Sequence, residues 1–511
     1  MSNKMLVVGG IAAIAVAVVV VACGGGDESI TVSQGTVIQN ATVVNTRDGS
    51  LMAGMSIIVS GGKIQQITAK PINPNGTAQT VDAAGKFVVP GFNDMHTHAM
   101  PAVDQSPSYW PLLLANGVTG VREMGGSAAV IQRARQLNTD SAAGKVDAPE
   151  ILMIPGDLFG GQAPTAPLAV QFVQTQKANG ADFIKLVAGG RESVLAILGE
   201  AKNQGLGVVG HLVPALSALD STNAGWRSIE HLGAGWGLTL DCAGDEATIR
   251  QQFLDGAGFH GPNPATYTLS PRLYDIPLNA PFYQRIIDTY SDAKCQALAQ
   301  AFVKNGTWQA PTLIRLRTQD YSDTALYRAD PNLIYLSKTS RALFEQLGQQ
   351  FATTVTPAAA ETLHQFYALQ LKVTKLLKQA GVKMLAGSDM AANAIWTVPG
   401  FSLHQEFREL AAAGLTPLEI LQMTTLNPAE YLGRQATMGT VEVGKNADLV
   451  LLDANPVADV ANLDKISAVV LKGKFFNKTA LDKMKSDVAA AYAAQAVNSD
   501  LLTAIDRTHV H

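Results

Sequence analysis

Short apolar runs alternate through the middle of the chain with stretches of helical periodicity. The runs Phe92–His98, Thr119–Met124, Ile151–Pro155, Phe183–Ala188, Val208–Leu212, Ser228–Leu232, Trp308–Ile314 and Lys383–Ser388 predict buried strands. Between most of them lie segments such as SVLAILGEAKNQG (193–205), whose apolar residues recur at the spacing of a helix with one buried face. Eight such units predict an α/β fold with a parallel sheet, and eight is the number that closes a (β/α)8 TIM-type barrel. An open doubly wound sheet is the alternative, but no Gly-rich GxGxxG turn follows the first strand. The flanks differ from the middle. Residues 30–90 carry short strand patterns punctuated by Asp48-Gly49 and Gly61-Gly62, and residues 437–476 have the same texture. One small β-sandwich domain built from both chain ends is therefore expected, in parts 35–88 and 437–478, around a central unit 89–436. Within that unit, 316–380 is too long for a simple connection and reads as a helical insert that could cover the barrel mouth. Residues 479–511 read as a terminal helix and a frayed tail ending in His509 and His511.

Composition narrows the class. The 511 residues are 47% hydrophobic and 16% charged with a formal charge of -4, enough apolar material for a large core. No basic tract is present, which argues against nucleic acid as a partner. Residues 1–22 read as a secretory signal: Lys4 precedes the apolar stretch Met5–Ala22, and Cys23 follows a small residue. That junction resembles a bacterial lipobox, which implies lipidation of Cys23 and a membrane anchor on a periplasm-facing or exported envelope protein. A single transmembrane helix is the alternative. Residues 23–34, with Gly24-Gly25-Gly26, then form a flexible tether. Cys242 and Cys295 either pair or remain as two thiols.

Chemistry concentrates at the strand ends. His96 and His98 alternate along the first strand, so both imidazoles leave the same face, with Asp94 two residues earlier on that face. His211 and His231 end the fifth and sixth strands, and Asp389 ends the eighth. Lys185 lies inside the apolar run Phe183–Ala188, where its charge must be lost, paired or modified. Taken singly, each has a plain explanation: a satisfied polar histidine, a strand-closing lysine, an Asp389 that caps a following helix. Together they fall at one end of the proposed barrel, the end where such barrels place their sites. Arg122, Glu123, Gln162, Arg315 and Arg317 are loop residues with weaker claims on a pocket, and His404 lies on a predicted helix.

The motifs VVPGFNDMHTH, VTGVREMGG, ADFIKLVAGG, GWRSIEHLG, APTLI, LAGSD and TTLNPAEYLG with GTVEVGKNADLVLLDANP give the chain a family likeness over residues 35–476. The chain resembles the amidohydrolase superfamily, in its binuclear imidazolonepropionase-like and prolidase-like group. The resemblance implies two divalent ions, with zinc favoured by the imidazole and carboxylate donors. His96, His98 and Asp389 would hold one ion and His211 and His231 the other. Lys185, carboxylated to a carbamate, would bridge them. It further implies hydrolysis of C–N bonds in a small-molecule substrate by a metal-bridging hydroxide, with Asp389 moving the proton. An esterase, lactonase or phosphotriesterase would use the same residues, and a degenerate binding protein would keep only the scaffold. Prolidase-like relatives follow the fifth-strand histidine with a Tyr-containing turn; here the turn is His211-Leu212-Val213-Pro214, so dipeptide specificity does not follow.

Overall fold

A computed structural model describes residues 29–100, 108–259, 267–390 and 394–498. The signal segment, Cys23 and the tail from 499 lie outside the described residues. Strands from the two flanks pair in one eight-stranded mixed sheet. Its order runs Lys474–Asn477, Ile466–Leu471, Leu449–Leu452, Phe87–Pro90, Thr36–Val44, Leu51–Ser60, Lys63–Thr68, with Gln79–Asp82 beside Thr36–Val44. The seam between the flanks is the antiparallel pairing of Leu449–Leu452 with Phe87–Pro90. Strand alternation gives this sheet two working faces. Val88, Leu449, Leu451 and Val470 enter a small core of the sheet's own, whereas Val89, Val450, Leu452 and Val469 enter the main core. In place of a simple sandwich, a separate parallel pair, Ile30–Val32 with Ile72–Pro74, packs on the sheet through Ile30, Val32, Val37 and Ile58.

The middle forms two parallel sheets. One holds Glu150–Met153, Val118–Glu123 and Phe92–Thr97; the other holds Phe159–Gly160, Phe183–Ala188, Gly207–Gly210, Trp226–Glu230 and Trp308–Ala310. Single bridges connect them: Pro155 with Phe183 on one side, and the segment 383–390 on the other, where Met384 meets Gln309 and Met390 meets Thr97. The predicted eighth strand, Lys383–Ser388, is thus not a regular ladder. Gly387 sits so close to His96 that a Cβ there would lie 2.7 Å from the His96 Cβ, and Asp389 turns into the left-handed region at φ 53. The predicted seventh strand is also shorter than expected. It stops at Ala310, Thr312 is left-handed at φ 44, and the helix Leu313–Asp320 begins at once.

The 316–380 region is helical as expected, and its helices Lys338–Thr354 and Pro357–Gln379 bury Leu347, Phe351, Leu363 and Phe366 in the main core. The terminal helix is Lys478–Ala494. Cys242 and Cys295 are joined by a disulfide. Among the described residues no helix is long and apolar enough to cross a membrane.

Candidate metal centre

All six predicted ligands meet where the parallel strands end. His96, the penultimate residue of the strand Phe92–Thr97, places its Nε2 3.2 Å from Asp389 Oδ1, and His98 Nε2 stands 3.2 Å from the same oxygen. His231, directly after Trp226–Glu230, has its Nε2 3.8 Å from Asp389 Oδ2, and its ring centroid is 4.4 Å from that of His96. The His211 ring follows at 5.1 Å from His231. Lys185 Nζ lies 3.4 Å from His96 Nε2. One ligand atom from each of His96, His98 and Asp389 falls within a 4.8 Å group. Local backbone makes this convergence possible. Gly210 takes φ 130 with Leu186 O only 2.0 Å from where a Cβ would sit, so the chain can turn His211 inward. His231, Thr312 and Asp389 are non-glycine residues at φ 57, 44 and 53, a conformation that costs about 1–3 kcal/mol each and clusters at functional sites.

Buried partners orient the rings. His96 Nδ1 lies 2.7 Å from Glu230 Oε2, an oxygen that also accepts from Arg122 at 2.7 Å, while Ser228 Oγ donates to Glu230 Oε1. Burial would raise the Glu230 carboxyl, but Arg122 and the hydrogen bond from His96 hold it down to about 2. An ionised carboxylate only accepts, so His96 Nδ1 carries a proton toward Glu230 and Nε2 is the nitrogen turned to the centre. Burial lowers His98 to about 4 and pushes His211 and His231 well below the usual imidazole range. Burial would raise Asp389 as well, but His96, His231 and Arg315 hold it well below the carboxylate range. Lys185 is lowered to about 8 by burial, against the pull of Glu230 and Asp389, which pair instead with Arg122 and Arg315.

These observations test whether a cation fits. Asp389 Oδ1 is buried with no hydrogen-bond donor, although two imidazole nitrogens face it. Two imidazole nitrogens and a carboxylate oxygen that lacks a hydrogen-bond partner converge on one buried spot, the donor set a divalent ion takes. The donor set fits a metal.

Other expectations resolve differently. Asp94 does not face the centre; it accepts from the Ser388 N–H at 3.0 Å and from the Ser388 hydroxyl, pinning the 383–390 segment. Among the described residues the next helix after Asp389 is Phe401–Ala412, too far along the chain for Asp389 to cap. Arg122 is fully buried against Glu230 and Met95 O, and Glu123 accepts backbone N–H groups of Met100 and Gly125. Gln162 closes its own loop on Gly160 and Leu158, Arg317 pairs with Glu409, and His404 pairs with Asp464 and Asn116 O. Arg315 alone of the loop candidates reaches the centre, through Asp389. Sequence reading missed Glu230, although an acid beside His231 in a buried strand poses the same problem as Lys185. It also missed Thr312, which hydrogen-bonds His231 Nδ1.

A cavity of about 610 Å³ opens on His211 and Arg315. Leu212, Val213 and Pro214, the turn that lacks a tyrosine, form an apolar part of its wall with Trp236 and Phe253.

The amidohydrolase family profile matches residues 370–476. The chain is 36% identical over 99 residues to an adenine deaminase of Listeria welshimeri, a match that covers 18% of the chain and 16% of that relative. The chain thus spans about a sixth of that relative's length in the match. Its fold is similar to a bottromycin amidohydrolase, with TM-score 0.62 and 20% identity over 90% of the chain and 92% of that structure. It is also similar to a putative prolidase from Bifidobacterium longum, with TM-score 0.56 and 22% identity over 89% and 98%.

Proposed function

We propose that the chain is a metal-dependent hydrolase of C–N bonds in small amides, cyclic amides or peptide-like molecules, working at the end of a (β/α)8 barrel. The observation that carries this is the pair of imidazole nitrogens facing the Asp389 oxygen that lacks a hydrogen-bond partner, beside the buried Lys185, whose Nζ lies 3.4 Å from His96 Nε2. His96, His98 and Asp389 would hold one divalent ion, zinc by donor type, and His211 and His231 a second. Lys185, whose amine is about half neutral near pH 8, would add to CO2 and release one proton, and the resulting carbamate anion would join both ions. When bound, the ions supply Lewis acidity toward a carbonyl and toward water.

The protein's own residues do the rest. Asp389 Oδ2, held ionised beside Arg315, accepts the proton of the attacking water and returns it to the leaving nitrogen. Glu230 fixes the His96 ring, and the apolar wall of the cavity excludes bulk water. The barrel reading is supported by the bridges that link the edges of both parallel sheets through 383–390 and Pro155. Lipidation at Cys23 and a place in the bacterial envelope complete the proposal; the Cys242–Cys295 disulfide supports an oxidising compartment.

The test is metal analysis with a substrate screen over N-acyl amino acids, cyclic amides, dipeptides, lactones and phosphotriesters. Two ions per chain and amide turnover, abolished in Asp389→Asn with much of the metal retained, are expected. Fewer than one ion per chain under metal-replete conditions would refute the reading, and turnover confined to lactones or phosphotriesters would move it to another bond. Near-normal activity of Asp389→Asn would remove Asp389 as the proton carrier.

A further inference from the structure

Residues just beyond two of the proposed ligands begin a cavity wall that the chemistry above does not use. Leu212 directly follows His211, and Gly233 and Trp236 follow His231 by two and five residues; all three line the cavity. The two stretches are joined, since the Leu212 N–H donates to Gly233 O at 3.0 Å. Trp236 carries the wall onward, its ring meeting Phe253 edge to face with centroids 4.8 Å apart. Gly258 packs close beyond that ring: a Cβ there would lie 3.5 Å from Phe253 Cδ2 and 2.4 Å from Asn279 Oδ1. The next residue, Phe259, donates its N–H to the same Asn279 oxygen at 2.9 Å. Its ring runs nearly parallel to that of Tyr267, with centroids 6.0 Å apart and 9° between the planes. Phe253, Phe259 and Tyr267 are half-buried and line the cavity with Trp236, so these rings keep surface that a ligand can cover. Burial and Asp275 push the Tyr267 hydroxyl up to about 12 against the pull of Arg272 and Arg315, so the row stays neutral and ends near the residue that reaches Asp389.

The guanidinium groups of this wall already face carboxylates of the protein. Arg250 pairs with Asp241 at 3.1 Å and Glu246 at 2.6 Å, Arg272 with Asp320 at 2.7 Å and Asp275 at 3.4 Å, and Arg315 with Asp389. A charge brought against the rings would lose its water and compete with these pairs, whereas an apolar ring would release water from both surfaces.

Resting on the hydrolase reading above, we propose that Trp236, Phe253, Phe259 and Tyr267 select amide substrates that carry a neutral aryl group. The aryl group lies against this row while the amide reaches the centre beside His211 and Arg315. Edge-to-face and offset contacts add to area burial and favour a planar ring over a short aliphatic end.

Two pairs of amides test this. 3-Phenylpropanamide against propanamide puts the ring on the acyl side, and N-(2-phenylethyl)acetamide against N-ethylacetamide puts it on the leaving nitrogen. Within at least one pair the aryl compound should have a kcat/KM about thirtyfold higher; a gain below about threefold in both pairs would overturn the proposal. The ratio within a pair, measured on one preparation, does not depend on the fraction of folded enzyme. It should fall in Trp236→Ala and in Phe259→Ala and recover in Trp236→Phe, and a ratio unchanged in both alanine variants would also overturn the proposal. A carboxylate or an aminomethyl group added para on the ring should remove most of the gain, and turnover of either as fast as the parent would overturn the neutral class. If none of these amides is turned over, the ratios of their calorimetric Kd values decide in the same way. Absence of turnover across the whole amide screen counts against the hydrolase reading instead.

Discussion

Replacing Glu230 by Gln separates the roles of the buried network under the centre. Glu230 is fully buried, and its Oε2 receives both His96 Nδ1 and Arg122 at 2.7 Å. Gln has nearly the same shape. Its amide oxygen can take the Oε2 position while its NH2 faces the Ser228 hydroxyl, so every hydrogen bond has a counterpart and only the charge is lost. Arg122 would then keep Met95 O and Tyr431 OH but no carboxylate. Removing one member of a buried ion pair costs about 3–5 kcal/mol, and the retained hydrogen bonds place this case near about 3 kcal/mol. The wild-type value agrees in size: a carboxyl held at about 2 against an ordinary 4.5 contributes about 3 kcal/mol at neutral pH. The effect on the metal is separate. Losing the anion behind a ligating imidazole lowers affinity roughly ten- to hundredfold. Urea unfolding reads the first quantity, and competition for Zn2+ against a chelator of known affinity reads the second. Arg122→Met serves as the comparison, because it breaks the same ion pair but leaves the carboxylate on His96. If Glu230→Gln and Arg122→Met destabilise alike and neither changes zinc affinity, Glu230 is only a structural counter-ion and the ligand assignment of His96 loses its main support.

A second prediction concerns pH. Burial pushes Glu406 up to about 8, although it accepts the Ile314 N–H at 2.8 Å. A carboxyl raised in the folded state binds a proton there that the unfolded chain releases near 4.5. Its contribution is therefore present at low pH and is lost progressively as pH rises from about 4.5 to about 8, by about 3 kcal/mol at pH 7. Glu406→Gln should stabilise the chain at pH 8 and flatten this slope, read by urea unfolding at pH 5 and 8; a steeper slope in the variant would contradict it. A third prediction concerns the disulfide, whose cysteines are 53 residues apart. Closing that loop stabilises by about 4 kcal/mol in the chain-entropy account, so Cys242→Ala with Cys295→Ala should lower the urea midpoint, while reductant should no longer affect it. An unchanged midpoint would place the two cysteines outside the cooperative fold.

The parts of this site that the sequence makes legible are those set by local rules. Strand alternation turns His96 and His98 to one side, and an apolar run around Lys185 marks a charge in need of an explanation. The flanking sheet is legible for a similar reason, since residues 30–90 and 437–476 share one alternating texture that finds its match in the Phe87–Pro90 and Leu449–Leu452 pairing. What escapes is set by contacts between distant segments. Glu230 gains its role from His96, 134 residues away, and Asp94 gains its role from Ser388, 294 residues away. No periodicity announces either. Asp94 shows how a correct local rule misleads: alternation puts it on the histidine side, but the 383–390 segment comes close enough to claim it.

The irregular strands have the same origin and explain why the site is where it is. Residues 308–314 and 383–388 read as full strands because their apolar content fits burial. Both break at residues the centre uses, Thr312 and Asp389, each in a left-handed conformation. Such backbone persists only when surrounding contacts hold it. Asp389 N donates to His96 O at 2.8 Å, Arg315 pairs with its carboxylate, and Thr312 hydrogen-bonds His231. Glu406 secures the start of the helix that follows Thr312. The strands therefore end early because their last residues are diverted to the histidines. A sequence rule for strand length cannot see that diversion, since the strain and its compensation lie on different segments.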